Sequence, residues 1–405
     1  MIENNKTKVL LVVSTLNTGG AQKVAAELSN SLATRYDVEF LVNDTSKASF
    51  PYTGTIRTLG LPEQTDKNSL VYQAKVLVRR IKRIKRIKKS GEYKAVISFM
   101  DSANIANVLS GKGNCFCKTL ITIHTNLSAA ARDWKYRFFV IPAVRMLYER
   151  ADVLLTVSKD IEYDLKNNLN YKFDNIRALY NGFDIKKIRQ HSMQPLTEKE
   201  TEQLNGFPVI TTVGRLCYEK GQCHLIRAFS TVLDHYPNAK LVLVGDGEYK
   251  DRLKRTAMSL GLNERVQFVG FMENPYRIMR NSEVVVLSSY FEGLPSVLIE
   301  ALAVGTPCVA TDFKSGAREI LAPELPIDAP LLDDIYKGQY GILTPVCKGG
   351  NLESGTSISR EERLLSEAII TMLNNSKYYK QQAEKATAPF EINRITEKWI
   401  SIIES

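Results

Sequence analysis

No apolar run in the sequence reaches the roughly 18–20 residues a helix needs to cross a bilayer. The first apolar stretch, KVLLVVSTLNTGG from Lys8 to Gly20, is too short for a span and lacks a small-residue cleavage pattern. It is expected to be a buried strand of a cytosolic protein rather than a signal peptide. Cysteines are few and scattered, at positions 115, 117, 217, 223, 308 and 347. In a chain of this size without a secretion signal they are expected as reduced thiols. Cys115, Cys117 and His124 match no common zinc spacing and lack an evident fourth ligand, so no metal site is expected. Gly19-Gly20 is followed by no further glycine over Gln22 to Ala25, which disfavours a dinucleotide fingerprint of the G-x-G-x-x-G kind. Internal repeats are absent as well.

What is present is the composition of a folded protein with two or three domains: 405 residues, 44% hydrophobic and 24% charged. Strand-like runs alternate with amphipathic segments at KVLLVVSTL, DVEFLVN (37–43), KAVISFM (94–100), KTLITIH (118–124) and ADVLLTVS (151–158). This order predicts a parallel sheet covered on both faces. The polar stretch from Ile185 to Gly206 reads as a linker. A second series follows, PVITTVG (208–214), AKLVLVG (239–245), RVQFVGF (265–271), EVVVLSS (283–289) and TPCVATD (306–312). The fold class is therefore α/β, with two Rossmann-like doubly wound domains, residues 1–185 and 206–387, facing across a cleft. Ligands are expected at the carboxyl ends of the strands. The proline-rich segment 320–342 reads as a surface excursion and 349–362 as a polar loop. The last stretch places Ile392, Ile395, Trp399 and Ile402 on one helical face that must dock onto something.

The net charge of +10 is concentrated in RRIKRIKRIKK, where Arg79, Arg80, Lys82, Arg83, Lys85, Arg86, Lys88 and Lys89 fall within eleven residues. The surrounding segment, Leu70 to Ser90, has Leu70, Ala74, Leu77, Ile81, Ile84 and Ile87 at helical spacing. One reading is an interfacial helix on an anionic membrane, or a docking surface for a lipid pyrophosphate. The other is a core-packed helix with a solvated cationic back. A non-enzymatic basic binding protein is the rival from another class. Nucleic acid is not expected as a partner, because only Tyr72 and Tyr93 flank the run as stacking aromatics.

Several strand ends carry chemistry. Gly19-Gly20 allows a phosphate or sugar close to a helix start, or forms a mere tight turn. Arg215 and Lys220, in VGRLCYEKG, suit a pyrophosphate, although loop cations are commonly just solvated. In SSYFEGLPSVLIEALAVGTPCVATD a strand ends, Glu292 lies in the turn, and Pro295 is expected to open a helix. The amides of Ser296 and Val297 are then free for a phosphate, and Glu300 follows one to two turns deeper. A bare pair of glutamates eight apart has no specificity. Its value comes from the loop between and the cations on a neighbouring strand end.

That combination, together with TLNTGGAQKV, ITIHTN, TVSKD, YNGFD, LVGDGE and VGF, resembles the retaining nucleotide-sugar glycosyltransferases of family 4, of the GT-B fold. The resemblance implies a donor site of Gly20, Arg215, Lys220, Met272, Gly293, Leu294, Ser296, Val297 and Glu300. It assigns Glu292 to the donor sugar, His124 to the reacting centre as a hydrogen-bond donor, and the backbone around Phe271 and Met272 to the base. It also implies that the terminal helix, 388–405, packs back on the first domain. Lys314-Ser315-Gly316 stands where many members carry Gly-Gly. That resembles the members building bacterial surface or lipid-linked oligosaccharides, the N-acetylgalactosamine transferases included. The expected activity is retaining transfer of a hexose or N-acetylhexosamine from a nucleoside-diphosphate sugar, most simply UDP-linked, to a glycolipid or polyprenyl-pyrophosphate-linked glycan. The expected place is the cytoplasmic face of the inner membrane, with peripheral attachment. A soluble small-molecule acceptor is the alternative. No cofactor is expected: no Asp-x-Asp lies near the phosphate site, so Arg215, Lys220 and the helix start must meet the leaving charge.

Overall fold

The computed structural model describes residues 6–17, 19–43, 48–61, 69–113, 117–313, 315–348 and 357–405. Cys115, Lys314 and most of the loop expected at 349–362 lie outside the described residues. Contacts divide the chain into two units, Met1–Phe183 with Phe390–Ser405, and Asp184–Pro389. None of the described helices is long and apolar enough to cross a membrane.

The first unit holds a parallel seven-stranded sheet of β1 (Lys8–Val12), β2 (Asp37–Val42), β3 (Thr55–Thr58), β4 (Tyr93–Phe99), β5 (Lys118–Ile123), β6 (Val153–Thr156) and β7 (Ile176–Ala178), in the order β3-β2-β1-β4-β5-β6-β7. Alternate residues of β1 enter opposite cores, as the period of a strand requires. Val9 and Leu11 meet helix α1 (Gly20–Leu32) and the terminal helix Ile392–Glu404. Leu10 and Val12 meet helices α2 (Leu70–Ser90) and α3 (Asp101–Leu109). The terminal helix thus closes one face of this sheet through Ile395, Trp399, Ile402 and Ile403, and Lys118 Nζ donates to the Ile402 carbonyl at 2.9 Å.

Helix α2 departs from the expected reading. Its buried stripe runs Tyr72, Val76, Arg80, Ile84, Ile87 and Lys88, while Leu77 and Ile81 are half-buried and Ala74 is exposed. Two of the eight cations expected on an acceptor or membrane surface are therefore interior. Arg80 donates to Ser102 Oγ at 2.7 Å and Asn43 Oδ1 at 2.5 Å. Lys88 donates to the carbonyls of Asn107 and Gly111 and to Thr119 Oγ1, at 2.9, 3.0 and 2.7 Å. Burial lowers both, Arg80 to about 10 and Lys88 to about 8. A buried cation is tolerated where its protons find partners; all three protons of Lys88 do, and both terminal nitrogens of Arg80 do. Arg79, Lys82, Lys85, Arg86 and Lys89 are exposed and Arg83 is half-buried.

The second unit repeats the architecture with β8 (Val209–Val213), β9 (Lys240–Val244), β10 (Val266–Gly270), β11 (Val284–Leu287), β12 (Cys308–Thr311), β13 (Tyr336–Lys337) and β14 (Ile342–Thr344), in the order β10-β9-β8-β11-β12-β14-β13. Only β13 runs antiparallel. The stretch expected as a linker is part of this unit. Ile185–Ser192 is a helix whose Arg189 Nε donates to the Ala303 carbonyl at 3.0 Å. Glu198–Gln203 is a helix opened by a reciprocal Thr197–Glu200 capping box, with Glu200 bound to Arg277 at 2.7 Å. Polar composition hid both helices.

Trp399 is only 6% exposed and packs into the first core. Trp399→Ala is expected to destabilise the first unit by about 3–5 kcal/mol, measured by urea denaturation followed at several probes.

Candidate functional site

In the second unit the chain passes from β8 outward to β9 and β10, then returns to place β11 on the other side of β8. This is a topological switch point, where loops leaving adjacent parallel strands diverge and a ligand fits between them. The two loops here are 214–221 after β8 and 288–295 after β11, and they are tied together. Tyr290 N donates to the Glu219 carbonyl at 2.8 Å, and Ser288 Oγ to the Lys220 carbonyl at 3.0 Å. Gly221, at φ +59°, permits this approach, since a Cβ there would lie 2.2 Å from the Ser288 carbonyl oxygen. Lys220 Nζ reaches Glu292 Oε1 at 2.5 Å, and Ser289 Oγ donates to the same oxygen at 2.8 Å.

Pro295 takes the N-cap of the helix Ser296–Ala303, one position earlier than expected, and no side chain caps this start. The first amides, of Ser296 and Val297, therefore have no intrahelical acceptor. Gly293, Leu294, Ser296 and Val297 are half-buried around the turn. Glu300 is 4% exposed and already has a partner. Arg215 is exposed at the end of β8. Phe271 and Met272 follow β10, two strands away in the sheet, with Phe271 exposed and Met272 half-buried. The structure thus brings Lys220, Glu292 and the helix start into one place.

Gly20 and His124 belong to the first unit. Gly20 begins α1, and a Cβ there would meet nothing within 4 Å; the constrained residue is Gly19, at φ +123°. His124 follows β5 and lines a cavity of about 20 Å³ with Glu27, Tyr180, Asn181 and Trp399, room for about one water. Its Nε2 lies 2.8 Å from Thr122 Oγ1, whose only proton goes to the Ser98 carbonyl at 2.9 Å. Nε2 must then carry the ring proton, which leaves Nδ1 an acceptor. Burial lowers the imidazole to about 4, so it is neutral at pH 7. In this tautomer the one N–H of His124 is engaged with Thr122.

The chain matches the family model described as Glycosyltransferase Family 4 over residues 18–187 and that described as Glycosyl transferases group 1 over 194–325. It is 31% identical to an uncharacterized glycosyltransferase of Methanocaldococcus jannaschii, covering 84% of this chain and 86% of the relative. The chain belongs to the family 4 glycosyltransferases. It is an enzyme of glycosyl transfer with the GT-B fold. A Campylobacter jejuni relative, the N-acetylgalactosamine-N,N'-diacetylbacillosaminyl-diphospho-undecaprenol 4-alpha-N-acetylgalactosaminyltransferase, is 29% identical over 89% of this chain and 92% of its own. The crystal structure of Anabaena HepE in complex with UDP and glucose superposes with a TM-score of 0.72 at 19% identity, over 98% of this chain and 100% of that one.

This glycosyltransferase also holds its site with residues that the sequence reading passed over. His224 holds a central position: Nδ1 lies 2.8 Å from Glu362 Oε1 and Nε2 lies 2.8 Å from Tyr290 Oη. Arg227 Nε donates to the same Glu362 oxygen at 2.7 Å. The helix Arg360–Thr387, which carries Glu362, is thereby bound to the loop that carries Glu292. The signal was the Ser359-x-x-Glu362 capping box. Behind the turn, Arg318 forms a two-pronged pair with Asp312 at 2.7 Å and donates to the carbonyls of Ala329 and Pro330, pinning the proline-rich excursion.

Burial raises the Glu362 carboxyl, but hydrogen bonds from His224, Arg227 and the Ser359 amide outweigh it and hold the group down to about 2. A depressed carboxylate stabilises the fold fully above its unfolded value of 4.5 and loses that contribution as pH falls towards 2. Glu362→Gln is expected to be less stable at pH 7 and to show a smaller loss across that window, read by urea midpoints. For His124 the unfolded chain binds the extra proton between pH 6.5 and about 4, so its contribution to stability is full above pH 6.5 and is lost as pH falls towards 4. Imidazole NMR is expected to find it titrating near 4.

Proposed function

We propose that this glycosyltransferase moves a hexose or N-acetylhexosamine from a UDP-sugar to a lipid-linked or surface glycan, with retention at the anomeric carbon and without a bound divalent ion. The observation that carries the reading is the Lys220–Glu292 pair at the switch point, set against the uncapped start of the helix Ser296–Ala303. A diphosphate bound there meets a cation and outward-pointing amides, which stabilise the charge that develops on the departing nucleoside diphosphate. Arg215 adds a second cation from the same loop, Glu300 takes the ribose hydroxyls, and Glu292 takes the donor sugar. Phe271 and Met272 take the base. His124, neutral and with Nδ1 as acceptor, receives a hydrogen bond from a sugar hydroxyl.

The acceptor class is supported by the Campylobacter relative, whose substrate is a diphospho-undecaprenol-linked sugar. The UDP preference is supported by the Anabaena structure. The exposed cations of α2 would meet an anionic lipid surface or the acceptor's pyrophosphate, and attachment at the inner face of a membrane follows from such an acceptor.

The test is turnover with a panel of UDP, GDP and ADP sugars, with and without chelator. UDP-sugars are expected to be consumed equally in both, and Lys220→Ala or Arg215→Ala is expected to lower kcat by about 100-fold or more, with an unchanged thermal midpoint in Arg215→Ala, whose side chain is exposed. Full activity in both variants would overturn the assignment, and loss on chelation would overturn its metal-free part.

A further inference from the structure

Among the described residues of the first unit, exposed large apolar side chains gather on the segment that follows His124. Trp134, Phe138, Phe139 and Met146 are 55%, 64%, 63% and 68% exposed, four large apolar side chains within thirteen residues. They are gathered rather than scattered singly. The Trp134 and Phe139 rings meet edge to face at 5.8 Å, and the Arg137 guanidinium lies 5.7 Å from the Phe138 ring centre. The backbone explains why they point outward. Tyr136–Val140 winds as a π-helix and leads into the helix Ile141–Leu147, which buries Ile141 and Val144 and leaves the opposite side uncovered. The Tyr136 hydroxyl bonds Asp101 at the start of α3, which anchors the segment at the carboxyl end of β4.

Exposed rings of this size are costly in water unless something covers them. Charge indicates what does. Arg132, Lys135, Arg137, Arg145 and Arg150 are all exposed on the same segment, against Asp133 and Glu149 alone. The segment packs on α3, which packs on α2, so the exposed cations of α2 belong to the same helical layer. Aromatic rings ringed by cations match the boundary of an anionic bilayer, where rings enter the acyl region and cations stay among the headgroups.

We infer that Trp134, Phe138, Phe139 and Met146 form a membrane-inserting patch that seats the first unit on an anionic phospholipid bilayer, beside the strand end that carries His124. This deepens the reading of a lipid-linked acceptor and rests on it for its purpose. Its measurement needs neither donor nor acceptor, so failure of one reading is distinguishable from failure of the other.

The chain has two tryptophans, and Trp399 is buried, so Trp134 is an intrinsic reporter. The full chain is mixed with vesicles of phosphatidylglycerol and phosphatidylcholine, or of phosphatidylcholine alone, and floated. Binding to the anionic vesicles is expected, with a blue shift of emission and quenching by acyl-brominated lipid, both lost in Trp134→Phe. Phe138→Ser with Phe139→Ser is expected to weaken vesicle partition about tenfold or more at an unchanged urea midpoint. Unchanged partition in that variant, or unmoved Trp134 emission, overturns the inference. So does a dimer in lipid-free sedimentation that the same substitutions dissociate, because a second copy then covers the patch.

Discussion

The candidate donor site depends on one ion pair, Lys220 with Glu292, formed between loops that leave neighbouring parallel strands. Parallel order forces the loops at a switch point to diverge, and left alone they would expose backbone groups to solvent in many conformations. The pair fixes their separation, and three further bonds, from Tyr290 N, Ser288 Oγ and Ser289 Oγ, restrict what remains. Side chains of Glu292 and Lys220 are 15% and 19% exposed, so their attraction is less screened than that of a surface pair. Under the proposed reading, a nucleoside diphosphate replaces Glu292 as the partner of Lys220. Binding is then an exchange of one anion for another at Lys220, and the released carboxylate, still held by Ser289 Oγ, becomes available to the sugar.

Much of this was legible because strands buried on both faces leave little freedom. Ten of the fourteen strands among the described residues fall where apolar runs occur, since a parallel sheet covered by helices needs near-continuous apolar residues. The others fail for identifiable reasons. Thr55–Thr58 is an exposed edge strand with a polar sequence, and Ile176–Ala178 and Tyr336–Lys337 are too short to show a period. Ile342–Thr344, three residues long, is likewise too short. At the site, the turn from Glu292 to Ser296 was readable because Gly, Leu and Pro punctuate it. Its connection through Tyr290 to His224 and Glu362 was not, because a bond between residues 138 apart leaves no local pattern.

The α2 segment shows a different limit. Helical periodicity sorts residues by apolarity, and by that measure Arg80 and Lys88 belong outside. Both are inside because carbonyl and hydroxyl oxygens stand in for water around their charged ends. Sequence spacing carries no information about such partners, which come from β1, β2, α3 and β5 or the loops beside them.

The two units solve one mechanical problem with cations of opposite character. Around the switch point of the first sheet, Arg80 reaches Ser14 after β1, Asn43 after β2 and Ser102 in the first turn of α3, holding three carboxyl-end loops together. It is 1% exposed, and although burial lowers it to about 10 it stays charged at neutral pH. All its partners are neutral, so nothing there could be exchanged for an incoming anion without opening the core. Lys220 does the equivalent work in the second sheet from a half-buried position and with an anionic partner. A loop tie that must also bind has to be reachable and already balanced by a replaceable charge. Of these two ties only the second unit's meets both conditions, which is the physical argument behind the proposed diphosphate site.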